Sequence, residues 1–149
     1  MRVLDSKRIP YVFHTYEADP SLTGEMIAAL LHEPAEHVFK TLVTQGKSNR
    51  NYVFVIPVSA ELDLKKAAKA AGEKSIEMIH QKDLLPLTGY VHGGCSPIGM
   101  KKAFLTFIHE TASSLDRIYV SAGRVGAQIE LGTEALRDTV SAQYADLIK

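Results

Sequence analysis

The sequence predicts one α/β domain, of the α+β kind, in which short helices surround a mixed or partly closed β-sheet. The chain has 149 residues, 46% hydrophobic and 23% charged, which is the size and composition of one globular domain. About six runs of β-branched and aromatic residues indicate strands, and they do not alternate regularly with helices. No repeat or linker-like tract divides the chain, so residues 1–149 are predicted to form a single domain.

The first half of the chain contains two predicted helices and three predicted strands. A helix over 2–7 ends before Pro10, because the residue that precedes a proline disfavours helical geometry. Thr23 is the predicted N-cap of a helix over 24–32, which Pro34 stops. The predicted strands are 11–16, 38–44 and 52–58, the last two joined as a hairpin by the polar segment QGKSNRN.

The second half continues with a helix after Asp63 that ends at Ala71, before Gly72. A glycine-rich segment spans 89–99. The other predicted elements are a short strand at 75–79, a short helix or turn at 80–87, strands at 102–109, 118–121 and 128–131, and a helix at 134–140 capped by Thr133.

Composition excludes several classes of function. Seventeen basic and seventeen acidic residues balance, which argues against a protein that binds nucleic acid tightly through charge alone. One cysteine, Cys95, excludes an internal disulfide and a thiolate-rich metal site. No apolar run approaches the ~18 residues that span a bilayer, and no signal-peptide pattern opens the chain, so a cytoplasmic protein without membrane contact is predicted.

Two motifs imitate catalytic signatures. HEPAEH places His32 and His37 five residues apart around Pro34, whereas a zinc-protease helix needs a spacing of four, so no metal site is predicted. Cys95 lies in a glycine-rich loop near His92 and would be a nucleophile if a neighbour lowered its pKa. Small buried cysteines are more often packing residues, and both interpretations stay open.

Three features are harder to explain as packing alone. Lys40 interrupts the apolar strand VFKTLV, where it is either a donor at a pocket mouth or a solvated side chain at an open sheet edge. The loop GGCSP, from Gly93 to Pro97, can bring backbone N–H groups close to an anion. Ser121 ends a strand just before the turn AGRVG, from which its hydroxyl can reach into a cleft.

The segments FKTLV, VIPVSAELDLKKAAKAAG, TGYVHGGCSPIGMKK and IYVSAGRVGAQIEL, in this order, resemble the YbaK/EbsC family. These proteins are free-standing relatives of the editing domain of bacterial prolyl-tRNA synthetases, and the resemblance covers nearly the whole chain. It implies an α/β domain with a mixed, barrel-like sheet and trans-editing aminoacyl-tRNA deacylase activity. Cysteine-specific and alanine-specific members share these motifs, so Cys-tRNA(Pro), Cys-tRNA(Cys) and Ala-tRNA(Pro) all remain candidate substrates.

The resemblance also assigns site residues. It implies a mechanism without metal or cofactor, in which the thiol of the cysteinyl substrate attacks its own ester. The residues implied to be catalytic are Lys40, Gly93 and Ser121. Those implied to bind substrate are Tyr16, Thr41, Gly94, Cys95, Ser96 and Pro97.

The implied partners are the 3′ end of an aminoacylated tRNA and prolyl-tRNA synthetase in a ternary complex. Lys65, Lys66 and Lys69 on the helix LKKAAKAAG are candidate phosphate contacts, with a solvated helix face as the simpler alternative. A non-catalytic regulatory module and a hydrolase that uses Cys95 are the competing hypotheses.

Overall fold

The computed structural model describes residues 1–19 and 21–149. Eight strands are found in this part of the chain: β1 (Tyr11–Thr15), β2 (Phe39–Gly46), β3 (Asn51–Pro57), β4 (Ile76–Met78), β5 (Leu105–His109), β6 (Arg117–Ser121), β7 (Ala127–Gly132) and β8 (Gln143–Ala145). The α-helices are α1 (Arg2–Ser6), α2 (Gly24–Leu30), α3 (Leu64–Ala71), α4 (Gln81–Thr88) and α5 (Thr133–Thr139). Two 3₁₀ helices span Ala35–His37 and Glu110–Ser114.

The strands form two sheets. Five strands in the order β4-β2-β3-β5-β8 make the larger sheet, in which β3, β5 and β8 run parallel and β2 runs antiparallel to both its neighbours. The smaller sheet, β1-β7-β6, is antiparallel throughout. A parallel bridge between Val38 and Tyr119 joins the start of β2 to β6. The predicted mixed sheet with short helices around it is therefore confirmed, and within residues 1–19 and 21–149 it does not close into a barrel.

The main core lies between the two sheets. Apolar side chains of β2, β3 and β5 pack there against those of β6 and β7, including Val55, Ile108, Val120 and Ile129, all fully buried. The opposite face of the larger sheet carries Phe54, which stacks on the ring of Phe107 and packs with the alanines of α3. Both faces of the larger sheet are thus covered, which explains why its central strands read as continuous apolar runs.

Two of the three predicted N-caps, Thr23 and Asp63, are confirmed. The hydroxyl of Thr23 accepts from the backbone N–H of Met26, and the carboxylate of Asp63 accepts from the N–H groups of Lys65 and Lys66. Both caps satisfy donors that the first turn of a helix leaves without partners.

Two predictions about elements are corrected, and one strand was not predicted. Gly132 is the N-cap of α5, because the hydroxyl of Thr133 instead donates to the carbonyl of Leu115 at 2.6 Å. The strand predicted over 102–109 begins only at Leu105. The strand that was not predicted is β8, whose three residues are strand because they pair with β5.

No helix of the described ranges is long and apolar enough to cross a membrane.

Candidate functional site

A cavity of about 440 Å³ opens beside the exposed backbone edge of β2. On this side β2 contacts β6 at Val38 and pairs with β4 from Thr44 onward, so the edge between these two contacts has no strand next to it. The beginning of α2, the glycine-rich loop and the ends of β6 and β7 surround the opening. Its lining residues are Ser21, Leu22, Thr23, Gly24, Ile27, Val38, Phe39, Lys40, Thr41, Leu42, Val58, Leu84, His92, Gly93, Cys95, Ser121 and Gln128.

Five of the predicted site residues meet in this cavity. Lys40 and Thr41 come from the open edge of β2, Gly93 and Cys95 from the loop, and Ser121 from the end of β6. The β2–β6 bridge brings the distant segments together, since Lys40 and Ser121 each lie two residues beyond the bridged pair.

Lys40 is half-buried at the cavity wall and forms no ion pair with any residue in the described part of the chain. Desolvation lowers the pKa of its ammonium, while the more distant carboxylates of Glu61 and Glu25 partly offset that effect. The sheet edge at Lys40 is open, as one interpretation predicted, but the edge faces a cavity. The cation is therefore held where an anionic or carbonyl ligand can approach it.

The glycine-rich loop is shaped by close backbone packing. Gly93 has a φ of +85°, and an added Cβ at Gly94 would lie 2.9 Å from backbone atoms of Arg124. The N–H of Gly94 donates to the carbonyl of Val91 at 3.0 Å. Among the described residues we find no acceptor for the N–H of Gly93 or Cys95, which leaves these donors for a ligand.

Cys95 lines the cavity, but its thiol is not activated as a nucleophile. Its side chain is 9% exposed, and burial raises the pKa of its thiol to about 11. A thiol with this pKa stays protonated at neutral pH, whereas nucleophilic catalysis requires the thiolate. The hypothesis of a hydrolase that uses Cys95 is therefore disfavoured, and Cys95 acts as a packing residue of the loop.

Four predicted residues do not line the cavity. Gly94 is packed against the turn at Arg124, and the fully buried Ser96 hydroxyl accepts from the N–H of Ile98 at 3.2 Å. Pro97 lines a second cavity of about 390 Å³ on the other side of the loop. Tyr16 lies outside the lining of both cavities, with its hydroxyl buried.

Gln128, which was not among the predicted site residues, lines the cavity from β7 and is only 5% exposed. In the pattern AQIEL it looks like a solvent-facing strand position, since Glu130 follows on the same face. Among the described residues, the buried polar atoms without a hydrogen-bond partner are the amide oxygen of Gln128, the hydroxyls of Tyr16 and Thr41, and the Nε of Arg137. Buried polar atoms are rarely left so, and two of these four residues, Thr41 and Gln128, line the cavity, which indicates a polar ligand there.

The predicted basic patch on α3 is smaller than its three lysines suggest. The ammonium of Lys66 pairs with Asp146 at 2.9 Å and donates to the carbonyl of Ile148 at 2.7 Å, which ties α3 to the C-terminal segment. Lys65 and Lys69 are exposed, and they lie four residues apart on the same side of the helix.

Comparison with known proteins gives consistent results. A family model described as "Aminoacyl-tRNA editing domain" matches residues 19–139. A protein of Enterococcus faecalis named "Putative Cys-tRNA(Pro)/Cys-tRNA(Cys) deacylase EbsC" is 45% identical over 148 residues, which cover 99% of this chain and 90% of that protein.

Solved structures share the fold. A crystal structure of a hypothetical protein superposes with a TM-score of 0.90 at 22% identity, covering 99% of this chain and 97% of that one. A "putative trans-editing enzyme for prolyl tRNA synthetase" has a TM-score of 0.85 at 22% identity, covering 99% of this chain and 93% of its own.

We predict that Gly94→Ala lowers the free energy of unfolding by about 1–3 kcal/mol, because the new Cβ meets backbone atoms that cannot rotate away. Urea denaturation measures this loss. Gly132→Ala is the matched control and should cost less, since its Cβ would meet nothing closer than 3.8 Å. A Gly94→Ala variant as stable as the unaltered protein would contradict the close packing of the two loops.

Proposed function

The chain belongs to the aminoacyl-tRNA editing domain family, and on that premise we propose that it is a trans-editing deacylase for Cys-tRNA(Pro) and Cys-tRNA(Cys). The observation that carries the proposal is the Lys40 cation, half-buried at a cavity wall and without an ion pair among the described residues. A volume of about 440 Å³ suits a ligand the size of an aminoacyl-adenosine.

Lys40 is proposed to bind the ester carbonyl or the terminal phosphate of the tRNA. A desolvated ammonium interacts more strongly with a developing negative charge than a solvated one, because little water screens it. The free N–H groups of Gly93 and Cys95 are proposed to support the same oxygen. Ser121 lines the same cavity from the end of β6.

The nucleophile is proposed to be the thiol of the substrate itself. The Sγ of the cysteinyl group attacks its own carbonyl carbon, an S–C bond forms, and the C–O bond to the ribose breaks. The proton of the thiol ends on the ribose oxygen, so the products are a cyclic cysteine thiolactone and deacylated tRNA. An intramolecular thiol already has the advantage of proximity, so the protein need only orient the group and stabilise the oxyanion. The high pKa of the Cys95 thiol supports a nucleophile from the substrate, because Cys95 itself stays protonated at neutral pH.

We predict that Lys40→Met lowers kcat/KM for Cys-tRNA(Pro) by about 10²–10³-fold, the usual effect of removing one oxyanion donor. Lys7→Met is the control. Lys7 is an exposed lysine directly after α1, and its replacement should leave the rate unchanged. Full activity in Lys40→Met would contradict the site, and an inactive unaltered protein would favour the non-catalytic module.

The pH dependence provides a second test of the same residue. Because burial lowers the Lys40 pKa, the protonated form is lost at a lower pH than for an exposed lysine, and activity should fall there as pH rises. Lys40→Arg should lack this alkaline decline, because a guanidinium stays charged. The uncatalysed ester hydrolysis is subtracted at each pH, and identical alkaline limbs for the two proteins would exclude Lys40 as their cause.

Replacing the cysteine on the tRNA by serine tests the identity of the nucleophile. The hydroxyl is a much weaker nucleophile than a thiol, so we predict deacylation slower by about 10²-fold or more. Single-turnover rates with Cys-tRNA(Pro), Ser-tRNA(Pro) and Ala-tRNA(Pro) are compared. Equal rates for cysteine and serine would show that water attacks the ester, and a preference for alanine would reassign the substrate.

Weak binding of the tRNA body is proposed to be compensated by a complex with prolyl-tRNA synthetase, since the chain carries no net charge. Lys65 and Lys69 supply the few phosphate contacts, while Lys66 holds the C-terminal segment. We predict that Lys65→Gln combined with Lys69→Gln raises KM and reduces the salt slope of binding by about one to two units. Lys7→Gln is the control. An unchanged salt slope in the double variant would show that Lys65 and Lys69 do not contact the tRNA phosphates and that this face of α3 is only solvated.

A further inference from the structure

Gln128 is a buried polar residue whose amide oxygen lacks a hydrogen-bond partner among the described residues, which is rare in folded proteins. It is 5% exposed, it lines the cavity, and its amide oxygen has no hydrogen-bond partner among residues 1–19 and 21–149. A buried acceptor without a partner weakens a fold by about 1–3 kcal/mol. A residue that carries such a penalty in an otherwise well-packed strand points to a ligand that supplies the missing donor.

The neighbours of Gln128 do not supply that donor. In the register of the smaller sheet Gln128 lies opposite His14 on β1 and Ser121 on β6, so the three side chains share one face. His14 uses its Nε2 atom on Glu130 at 3.1 Å, and the Ser121 hydroxyl accepts from the N–H of Gly123 at 3.2 Å. No described group, these two side chains included, forms a hydrogen bond with the amide oxygen of Gln128, and the residue itself lines the cavity.

The charges of the cavity decide which ligand group fits. Its cation is Lys40, and the free loop N–H groups are donors, so these groups suit the carbonyl and phosphate oxygens of a substrate. Within the described residues no carboxylate lines the cavity. An aminoacyl ester also brings an α-ammonium, which has three donors and needs neutral acceptors here. Gln128 is the buried acceptor that offers one, and Thr41, whose buried hydroxyl likewise lacks a partner, stands on the β2 side.

We propose that the amide oxygen of Gln128 accepts a hydrogen bond from the α-ammonium of the aminoacyl group. This inference rests on the proposed deacylase function and assigns the amine end of its substrate, while Lys40 and the loop take the ester end. Gln128 thereby restricts the cavity to aminoacyl groups with a free amine, which excludes acylated aminoacyl-tRNA and peptidyl-tRNA.

The test is a thermodynamic cycle in which the Gln128 side chain and the substrate amine are each altered, separately and together. Cysteinyl-tRNA and N-acetylcysteinyl-tRNA are each offered to the unaltered protein and to Gln128→Met, which keeps length and volume but has no acceptor. The hydrogen bond to a charged donor predicts a loss in kcat/KM of about 10- to 100-fold for the free amine, with little change for the acetylated substrate. Gln128→Glu, which restores an acceptor, should recover the preference for the free amine.

Two controls separate this contact from a structural role. Gln143→Met makes the same change at an exposed position of β8 and should alter neither substrate. The thermal midpoint of Gln128→Met should not fall, because an unpartnered polar atom is replaced by an apolar one. An equal loss on both substrates, or no loss on either, would overturn the amine contact.

Binding of a non-hydrolysable analogue, 3′-cysteinylamino-3′-deoxyadenosine, distinguishes failure of this inference from failure of the proposed activity. Calorimetry with the analogue and its N-acetyl form requires no turnover. Tighter binding of the free amine by the unaltered protein, lost in Gln128→Met, supports the contact even if the protein deacylates neither tRNA. Equal affinities for the two forms would overturn it.

Discussion

Val38 and Tyr119 form the one parallel bridge, within the described ranges, that joins the edge of the larger sheet to the smaller one. Both side chains are buried in a small apolar cluster with Ala28 of α2. Beyond this bridge β2 and β6 separate, and the backbone edge of β2 stays open until β4 begins to pair at Thr44. The space between the separating strands is the cavity. The position of the cavity thus follows from two sheets that pack face to face but whose strands β2 and β6 share a single backbone bridge.

Several polar groups that line the cavity lack a partner within the described part of the chain. Lys40 is desolvated without a paired carboxylate, and the buried oxygens of Thr41 and Gln128 lack partners in the described structure. Each of these features lowers stability, and each gains its missing partner from a ligand that brings a negative oxygen and an ammonium together. The aminoacylated 3′ end of a tRNA, with its terminal phosphate and its α-ammonium, is such a ligand. The covered apolar faces of the larger sheet provide the stability against which these local losses are set.

The thiol in the loop and the thiol on the proposed substrate have opposite roles for one physical reason. Burial raises the pKa of Cys95 to about 11 and removes it as a nucleophile. A thiol that arrives on the substrate is held beside its own carbonyl and needs no activating partner from the chain. The loop is then free to be shaped by packing, with Gly94 pressed against the turn at Arg124 and no described acceptor for the N–H of Gly93.

The sequence by itself determined the fold class, the helix caps at Thr23 and Asp63, and the placement of Lys40, Gly93 and Ser121 as candidate site residues. Those features depend on short-range pattern: an N-cap needs only its own first turn, and a lysine is conspicuous in an apolar strand. Only the tertiary structure decided that β8 is a strand, that Ser96 and Pro97 face away from the cavity, and that Gln128 lies inside it. For β8 and Gln128 the deciding partner is distant in the chain. Pairing with β5 makes β8, and residues of α2 and β2 line the same cavity as Gln128, a glutamine that alternation alone would leave in solvent.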